Sequence, residues 1–318
     1  MEENQPKVGK KHRKKKVVGI VFLLLILLAG GLWFRFSPET LQKARSVLGI
    51  TEPGDEVEEL PFSVHVLDVG KADAIYLHSG EVDMLIDGGT YDFGEKVCQY
   101  LKRRGVTSLD VVVNTHPDQD HIGGLSQVLE EFPVEEIWYG PWETEPETEE
   151  YTQFWQVVQE KEIPAYTPLP GQRLFLGGLQ IHVLGPLMLS SESNNNSLVI
   201  RVAYQDTSIL LMGDAEEKEE TQIFTIFPFE ELSSDILKIG HHGSETSTTP
   251  PFLQQVSPRY AIISVGEDAN DLPRQSVLDH LKEKEISVYR TDWHGTVVCG
   301  SDGTSWIFRT EKEQEELK

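Results

Sequence analysis

Cysteine is nearly absent from this chain: Cys98 and Cys299 are the only two among 318 residues. Two cysteines cannot supply a disulfide framework, and these two lack the close pairing of a zinc-binding motif. Cys98 falls in a helical pattern and Cys299 ends the strand-like Thr296-Val-Val-Cys299, so both read as small apolar residues; pairing outside the cytoplasm is the alternative. Positive charge is also scarce, with 28 Lys and Arg against 52 Asp and Glu and a formal net charge of −24. Much of it is bunched in residues 1–16, where seven basic residues face Glu2 and Glu3, which leaves −29 for everything downstream. Beyond a local patch at Lys102-Arg103-Arg104 no basic track for nucleic acid is visible. Hydrophobic residues make up 39% of the chain, which excludes disorder as its overall class.

Long apolar runs are missing except for one. Val17 to Phe34 carries no charge, and as a helix it spans roughly 27 Å, close to the thickness of a bilayer core. The basic block before it and the acidic chain after it follow the positive-inside rule. The run is therefore expected to be a single transmembrane anchor with residues 1–16 as a cytoplasmic tail and the remainder outside the cytoplasm. A cleaved signal peptide is the rival, since Ala29-Gly30-Gly31 follows the apolar core. Residues 35–60 lack a sustained apolar period and read as a stalk. The folded domain is expected over residues 61–310, with a charged tail at 311–318.

Within 61–310 short strand signals recur at residues 62–67, 74–77, 84–86, 111–113, 181–184, 198–202, 209–212, 261–264, 288–289 and 306–308. Helical periodicity alternates with them at 93–101, 125–132, 216–227 and 275–284. The acidic and aromatic stretch 141–170 reads as a surface helix with loops. A near-repeat links two halves. Met84-Leu-Ile-Asp-Gly-Gly89 leads through a helix to Asp110-Val-Val-Val-Asn-Thr-His116, and Leu210-Leu-Met-Gly-Asp-Ala215 leads through a helix to Asp235-Ile-Leu-Lys-Ile-Gly-His241. The Asp87 to His116 interval is 29 residues and the Asp214 to His241 interval is 27. Two half-domains of one plan, packed sheet to sheet, would bring both sets of strand-end residues to one edge.

Four of those strand-end residues carry chemistry together. His116, Asp118, Asp120 and His121 follow a β-branched run and precede Gly123-Gly124, so two imidazoles and two carboxylates share one tight loop. His116 and Asp118 can face one metal ion and Asp120 and His121 a second. Asp214 can bridge the two, and His241 can close the second site, giving a dinuclear centre that activates water.

The string Thr115-His-Pro-Asp-Gln-Asp-His-Ile-Gly-Gly124 resembles the metal loop of the metallo-β-lactamase fold, with Asp118 where that family usually has a second His. Leu67-Asp-Val-Gly-Lys-Ala-Asp-Ala74, Leu85-Ile-Asp-Gly-Gly89, Asn195-Asn-Ser-Leu-Val199, Met212-Gly-Asp-Ala-Glu216, Lys238-Ile-Gly-His-His-Gly-Ser244 and Pro258-Arg-Tyr-Ala-Ile-Ile-Ser264 narrow the resemblance. Together they are similar to the soluble hydrolase domain of ComEC competence proteins and its stand-alone relatives, over about residues 61–310. The resemblance implies an α/β (α+β) fold, the αββα four-layer sandwich, here preceded by one transmembrane helix. It also implies two divalent ions, Zn²⁺ or Mn²⁺, and hydrolysis of a phosphodiester, with DNA as the proposed substrate. Lactam or thioester hydrolysis, and a surface binding module without catalysis, are the other readings.

By the same resemblance His116, Asp118, Asp120, His121, Asp214 and His241 are metal ligands. Asp87 orients the ligand loop, and Asn195 or Asn196 touches metal-bound water. His242 protonates the leaving oxygen or merely hydrogen-bonds its loop, and the Gly243 and Ser244 amides bind a phosphate oxygen. Lys238 lies near the substrate anion or pairs with an acid. The chain departs from the pattern where relatives read Val-Gly-Gln-Gly-Asp and it reads Val69-Gly-Lys-Ala-Asp73. It departs again where a His is replaced by Leu272.

Overall fold

Alternation along the strands decides the layering. The computed structural model describes residues 57, 60–80, 82–266 and 271–312. The first sheet contains β1 (Phe62–Val66), β2 (Ile75–Ser79), β3 (Val82–Ile86), β4 (Leu109–Asn114), β5 (Val134–Tyr139) and β6 (Ala165–Tyr166). The second contains β7 (Arg173–Leu176), β8 (Leu179–Gly185), β9 (Val199–Tyr204), β10 (Thr207–Leu211), β11 (Ile236–Lys238), β12 (Tyr260–Ile263) and β13 (Ser287–Arg290). Finally β14 (Val297–Ser301) and β15 (Trp306–Thr310) return to the first sheet. The strand orders are β15-β14-β1-β2-β3-β4-β5-β6 and β13-β12-β11-β10-β9-β8-β7.

Odd and even residues of the central strands go to different cores. Met84, Ile86, Val111 and Val113 meet Ile209, Leu211, Ile236 and Ile262 in an apolar layer between the two sheets. Their neighbours Leu85 and Val112 face outward onto α1 (Gly94–Arg103), α3 (Leu125–Glu131) and α4 (Glu149–Glu160), with the short α2 (Gln119–Ile122) between. On the far side Leu210, Leu237 and Ala261 face α5 (Glu217–Ile226), α6 (Phe229–Leu232), α7 (Pro250–Val256) and α8 (Gln275–Glu283); α9 (Thr291–His294) follows β13. The result is a mixed α/β sandwich of helices, sheet, sheet and helices. A β-strand buried on both faces needs apolar residues at successive positions, which is why these strands read as runs of Val, Ile and Leu. Each such side chain, fully buried, contributes about 1.5–3 kcal/mol.

The near-repeat in the sequence is a repeat of topology. In each half an antiparallel hairpin, β2 with β3 and β9 with β10, leads into parallel pairings, β3 with β4 and β10 with β11. The second Asp of each half starts its strand in the same way: Asp110 accepts a hydrogen bond from the Asp83 amide at 2.7 Å, and Asp235 accepts one from the Ser208 amide at 2.9 Å. Parallel pairing puts the C-terminal ends of β3, β4, β10 and β11 on one edge, and the chemistry lies there.

Residues 1–56, which hold the expected basic tail, transmembrane segment and most of the stalk, lie outside the described residues. Among the described residues no helix is long and apolar enough to cross a membrane. The end of the expected stalk belongs to the fold, since Val57 is buried and Leu60 donates to its carbonyl at 3.1 Å. At the other end Glu311, expected in a charged tail, accepts from the Thr296 amide at 2.9 Å. Cys98 and Cys299 are both buried and unpaired.

Candidate metal centre

Two glycines fix the path of the ligand loop. A Cβ on Gly124 would stand 2.1 Å from the Gly88 carbonyl oxygen, and one on Gly123 would stand 2.5 Å from the Gln119 oxygen, so neither position tolerates a side chain. The Gly88 amide donates to the His121 carbonyl at 2.8 Å and the Gly124 amide to the Gly89 carbonyl at 3.0 Å, stitching the loop after β4 to the turn after β3. Asp87, fully buried at that turn, accepts from the Thr115 amide at 2.8 Å and from the Thr115 hydroxyl at 2.7 Å. Its Oδ2 also lies 2.7 Å from His121 Nδ1.

The second half brings Asp214, beyond the end of β10, and the turn after β11. His241 and His242 both adopt left-handed backbone, with φ of 46° and 52°, a conformation that costs a non-glycine residue of order 1–3 kcal/mol. The strain lets two adjacent imidazoles leave the chain in different directions. His242 is fully buried, and its Nδ1 donates to the Ser264 carbonyl at 2.9 Å. A ring nitrogen that faces a carbonyl must carry the proton, so Nε2 is the ring atom left for the site. His121 is set in the same way by Asp87.

Four side chains then converge. Ligand atoms of Asp120, His121, Asp214 and His242 all lie within 4.8 Å of one another. His121 Nε2 is 3.3 Å from Asp214 Oδ1, and His242 Nε2 is 3.5 Å from Asp120 Oδ2 and 3.6 Å from Asp214 Oδ2. These separations are long for hydrogen bonds, but two atoms that each sit about 2.1 Å from one tetrahedral ion are about 3.4 Å apart. Nε2 of His116, His121 and His242 and Oδ1 of Asp214 are buried with no hydrogen-bond partner. Unpartnered polar atoms at a buried point are costly, and bound cations would satisfy their lone pairs. The donor set therefore suits a divalent metal. The His116 ring lies tilted against that of His121 with centroids 4.1 Å apart, and Asp118 Oδ2 is 3.8 Å from His116 Nε2, so a second group of donors adjoins the first.

The charges agree with this. Burial alone would raise the Asp214 pKa, but the fields of His242 and His121 outweigh it and hold the carboxyl well below its usual range. Burial would lower His121, yet Asp214 and Asp87 raise it well above the ordinary imidazole value. The carboxylate field that favours a proton on His121 Nε2 also favours a divalent cation there. Asp120 is lowered too, against its burial, by the neighbouring imidazoles of His242 and His121. For His116, burial first and then His121 push the pKa down.

Several sequence assignments change. The sequence gives ligand duty to His241 and proton transfer to His242, but it is His242 that joins the buried cluster. His241 is about a quarter exposed, with Nε2 3.9 Å from Asp214 Oδ2 and Nδ1 3.1 Å from Glu216 Oε1. Asn195 reaches the edge of the centre, its Nδ2 donating at 3.3 Å to Glu216 Oε2 on the acid that holds His241. Asn195 Oδ1 accepts from the amides of Glu216 and Glu219 at 3.3 and 3.2 Å, so it caps the start of α5. Asn196 exchanges two hydrogen bonds with the backbone of Ser190, both at 2.7 Å. The Ser244 amide is spent on the His241 carbonyl at 2.8 Å, so it has no proton to offer a phosphate oxygen. Lys238 is fully buried and pairs with Asp73 at 2.9 Å behind the centre. There the Lys238 charge holds Asp73 below its usual range, against burial that would raise it.

Two contributors carried no site role in the sequence reading. Glu216 orients His241 and also accepts from the Thr246 hydroxyl at 2.7 Å. Lys71, in the loop between β1 and β2, places its Nζ 2.5 Å from Asp120 Oδ2. Burial lowers the Lys71 pKa, but its hydrogen bond to Asp120 and the fields of Asp120, Asp214 and Asp118 outweigh that and raise it. Leu272 lies beside the site: Arg274 donates its amide to the Gly243 carbonyl at 2.9 Å, and an open cavity of about 560 Å³ lined by Glu245, Leu272, Arg274 and Ser276 adjoins that turn.

A buried donor cluster at the C-terminal edge of an αββα sandwich marks a metal-binding protein of the metallohydrolase type. The chain belongs to the metallo-beta-lactamase superfamily, whose family model matches residues 67–267. It is 33% identical over 255 residues to ComE operon protein 3 of Bacillus subtilis (strain 168), a match that covers 74% of this chain and 32% of that protein. It is 31% identical over 243 residues to Recombination protein 2 of Haemophilus influenzae, covering 74% of this chain and 28% of that one. The chain thus spans about a third of the length of these curated relatives. Among solved structures it is similar to the metallo-beta-lactamase fold protein YhfI from Bacillus subtilis, at 13% identity and a TM-score of 0.47 over 72% of this chain and 96% of that one.

Proposed function

We propose that this chain is a metal-dependent hydrolase of phosphodiester bonds whose catalytic domain is tethered outside the cytoplasm by residues 17–34. The observation that carries the hydrolase reading is the set of four buried atoms, Nε2 of His116, His121 and His242 and Oδ1 of Asp214, without hydrogen-bond partners at one sheet edge. Asp120, His121, Asp214 and His242 would hold one ion, and His116, Asp118 and Asp214 a second. Such ions supply Lewis acidity and activate water near neutral pH. An oxygen-rich donor set suits Mn²⁺ as well as Zn²⁺.

The chain's own residues do the rest. Asp87 and the Ser264 carbonyl fix His121 and His242, so those lone pairs need no reorganisation. Glu216 holds His241 with Nε2 toward the cluster at the solvent edge, where it hands a proton to the leaving oxygen. Asp118, Asp120 and Asp214 bring about −3 against +4 from two divalent ions, so the loaded site attracts an anionic group. The phosphodiester assignment draws on that charge balance and on the likeness to the competence relatives. The tether is supported by the uncharged run from Val17 to Phe34 behind a basic block.

Elemental analysis of the full chain, purified in mild detergent and then equilibrated with Mn²⁺ or Zn²⁺, tests the reading, together with hydrolysis of bis-p-nitrophenyl phosphate under the same conditions. About two ions per chain and metal-dependent hydrolysis are expected. Less than one ion per chain and no hydrolysis would instead make the chain a binding module that kept the fold.

A further inference from the structure

Lys71 places a fixed positive charge where the family's chemistry calls for a metal. Its ammonium lies 2.5 Å from Asp120 Oδ2, and that same oxygen is 3.5 Å from His242 Nε2. The oxygen held by the lysine is thus the one turned into the donor cluster. Asp118 and Asp214 add their fields at the same point. An exposed lysine on a mobile loop would contribute little in such a place, because its side-chain entropy and solvent screening cancel the attraction.

The loop that carries Lys71 is pinned on both sides. The Leu67 amide donates to the Ala74 carbonyl at 3.0 Å, the Asp73 amide to the Asp120 carbonyl at 3.1 Å, and the Gly89 amide to the Asp73 carbonyl at 2.7 Å. Ala72, beside Lys71, is fully buried and anchors the loop in the core of the first half. The platform under Lys71 and the platform under Asp120 therefore move as one piece.

We propose that Lys71 is a built-in counter-cation of the metal centre, which takes up charge on Asp120 and makes the Asp120, His121, Asp214 and His242 set bind a divalent ion more weakly than those donors alone dictate. The inference rests on reading those four residues as metal holders. An ion within bonding distance of Asp120 Oδ2 meets the ammonium across one oxygen atom, and two like charges so close repel. The carboxylate can serve both, but each weakens its pull on the other. The centre then loads in proportion to free metal instead of retaining its ions through purification.

The test is equilibrium titration of the metal-stripped full chain in mild detergent with Mn²⁺ alone and with Zn²⁺ alone, read by calorimetry and by competition with a chromogenic chelator. Lys71→Gln and Lys71→Met remove the charge and are expected to tighten the apparent Kd by roughly tenfold or more. Lys71→Arg keeps the charge and is expected to stay near the wild-type value. Thermal unfolding of each variant confirms that it is folded before titration, and either neutral variant suffices. Unchanged or weaker affinity in the neutral variants overturns the inference and leaves the metal reading intact. No binding by the wild type or any variant overturns both.

Discussion

His241 and His242 are neighbours in the chain with different surroundings, and the difference lies in what each Nδ1 touches. A backbone carbonyl buried under β12 holds His242, and a half-buried glutamate holds His241. His242→Ala is therefore expected to cost at least one ion per chain and nearly all activity. His241→Ala is expected to keep its metal and to lower kcat by about 10²–10³, the usual worth of a positioned acid. Elemental analysis beside steady-state kinetics separates them, and a fully loaded His242→Ala variant would return the ligand role to His241. The sequence does not distinguish the two residues because adjacent histidines in an ordinary backbone are interchangeable on paper. Only the pair of left-handed φ angles decides which one turns inward. Within the first loop the opposite holds. His116, Asp118, Asp120 and His121 are legible because a strand, a four-residue turn and two glycines leave them one place to point. Lys71 is visible in the sequence only as part of the departure Val69-Gly-Lys-Ala-Asp73, because the partner that gives it a place in the site lies 49 positions away.

At the scale of elements, α5 secures the second half of the centre through two buried acids. Glu219 accepts from the Leu187 amide at 3.0 Å, and Glu220 accepts from the Thr249 amide and hydroxyl at 2.9 and 2.7 Å and also from the Thr248 amide. The Glu220 bonds tie α5 to the segment that leads from the His241 turn into α7, and the Glu219 bond ties it to the loop after β8. Burial dominates both groups and pushes each pKa up to about 7. A carboxyl whose folded pKa exceeds its unfolded value near 4.5 binds more protons when folded. Its contribution is thus fully present below about pH 4.5 and lost as pH rises to about 7. Stability to urea is expected to fall by roughly 1–3 kcal/mol per group between pH 5 and pH 8. Glu219→Gln, which keeps the acceptor for Leu187, should flatten that slope; a slope unchanged by the substitution would mean that Glu219 ionises freely when folded. The helix itself is visible in the sequence from its apolar spacing. Strand β5 is not, since Glu135 and Glu136 interrupt its apolar run, and it forms because β4 and β6 pair with it on both sides. Likewise Ser193–Asn196 reads as a turn, but Asn194 and Asn195 donate to Glu216 beside His241, Asn195 also caps α5, and Asn196 holds the Ser190 loop.

Over the whole molecule the centre, once loaded with two divalent ions, would be a small anion-attracting point in a chain of net negative charge. The chain carries −24 in all and −29 beyond residue 16. Part of that charge stands next to the ligand loop. Gln119 donates to Glu150 at 2.9 Å, which brings α4 and the acidic stretch before it beside α2. Tyr139, Trp142, Tyr151 and Trp155 pack together under this rim with ring centroids 5.0 to 6.2 Å apart, so an aromatic cluster backs the rim. A protein that binds DNA through a basic track loses affinity steeply as salt rises, because phosphate contacts release counterions. This surface should act in the other direction, since salt screens the repulsion between an acidic rim and a polyanion. A small diester reaches the ions without crossing that field. The loaded enzyme is thus expected to turn over bis-p-nitrophenyl phosphate faster than it cuts single- or double-stranded DNA, and its rate on DNA should rise between 20 and 200 mM NaCl, roughly one Debye-length regime to the next. Initial rates across that range decide the matter: a rate on DNA that falls with salt as steeply as counterion release demands would place a basic path on this molecule and make DNA its substrate.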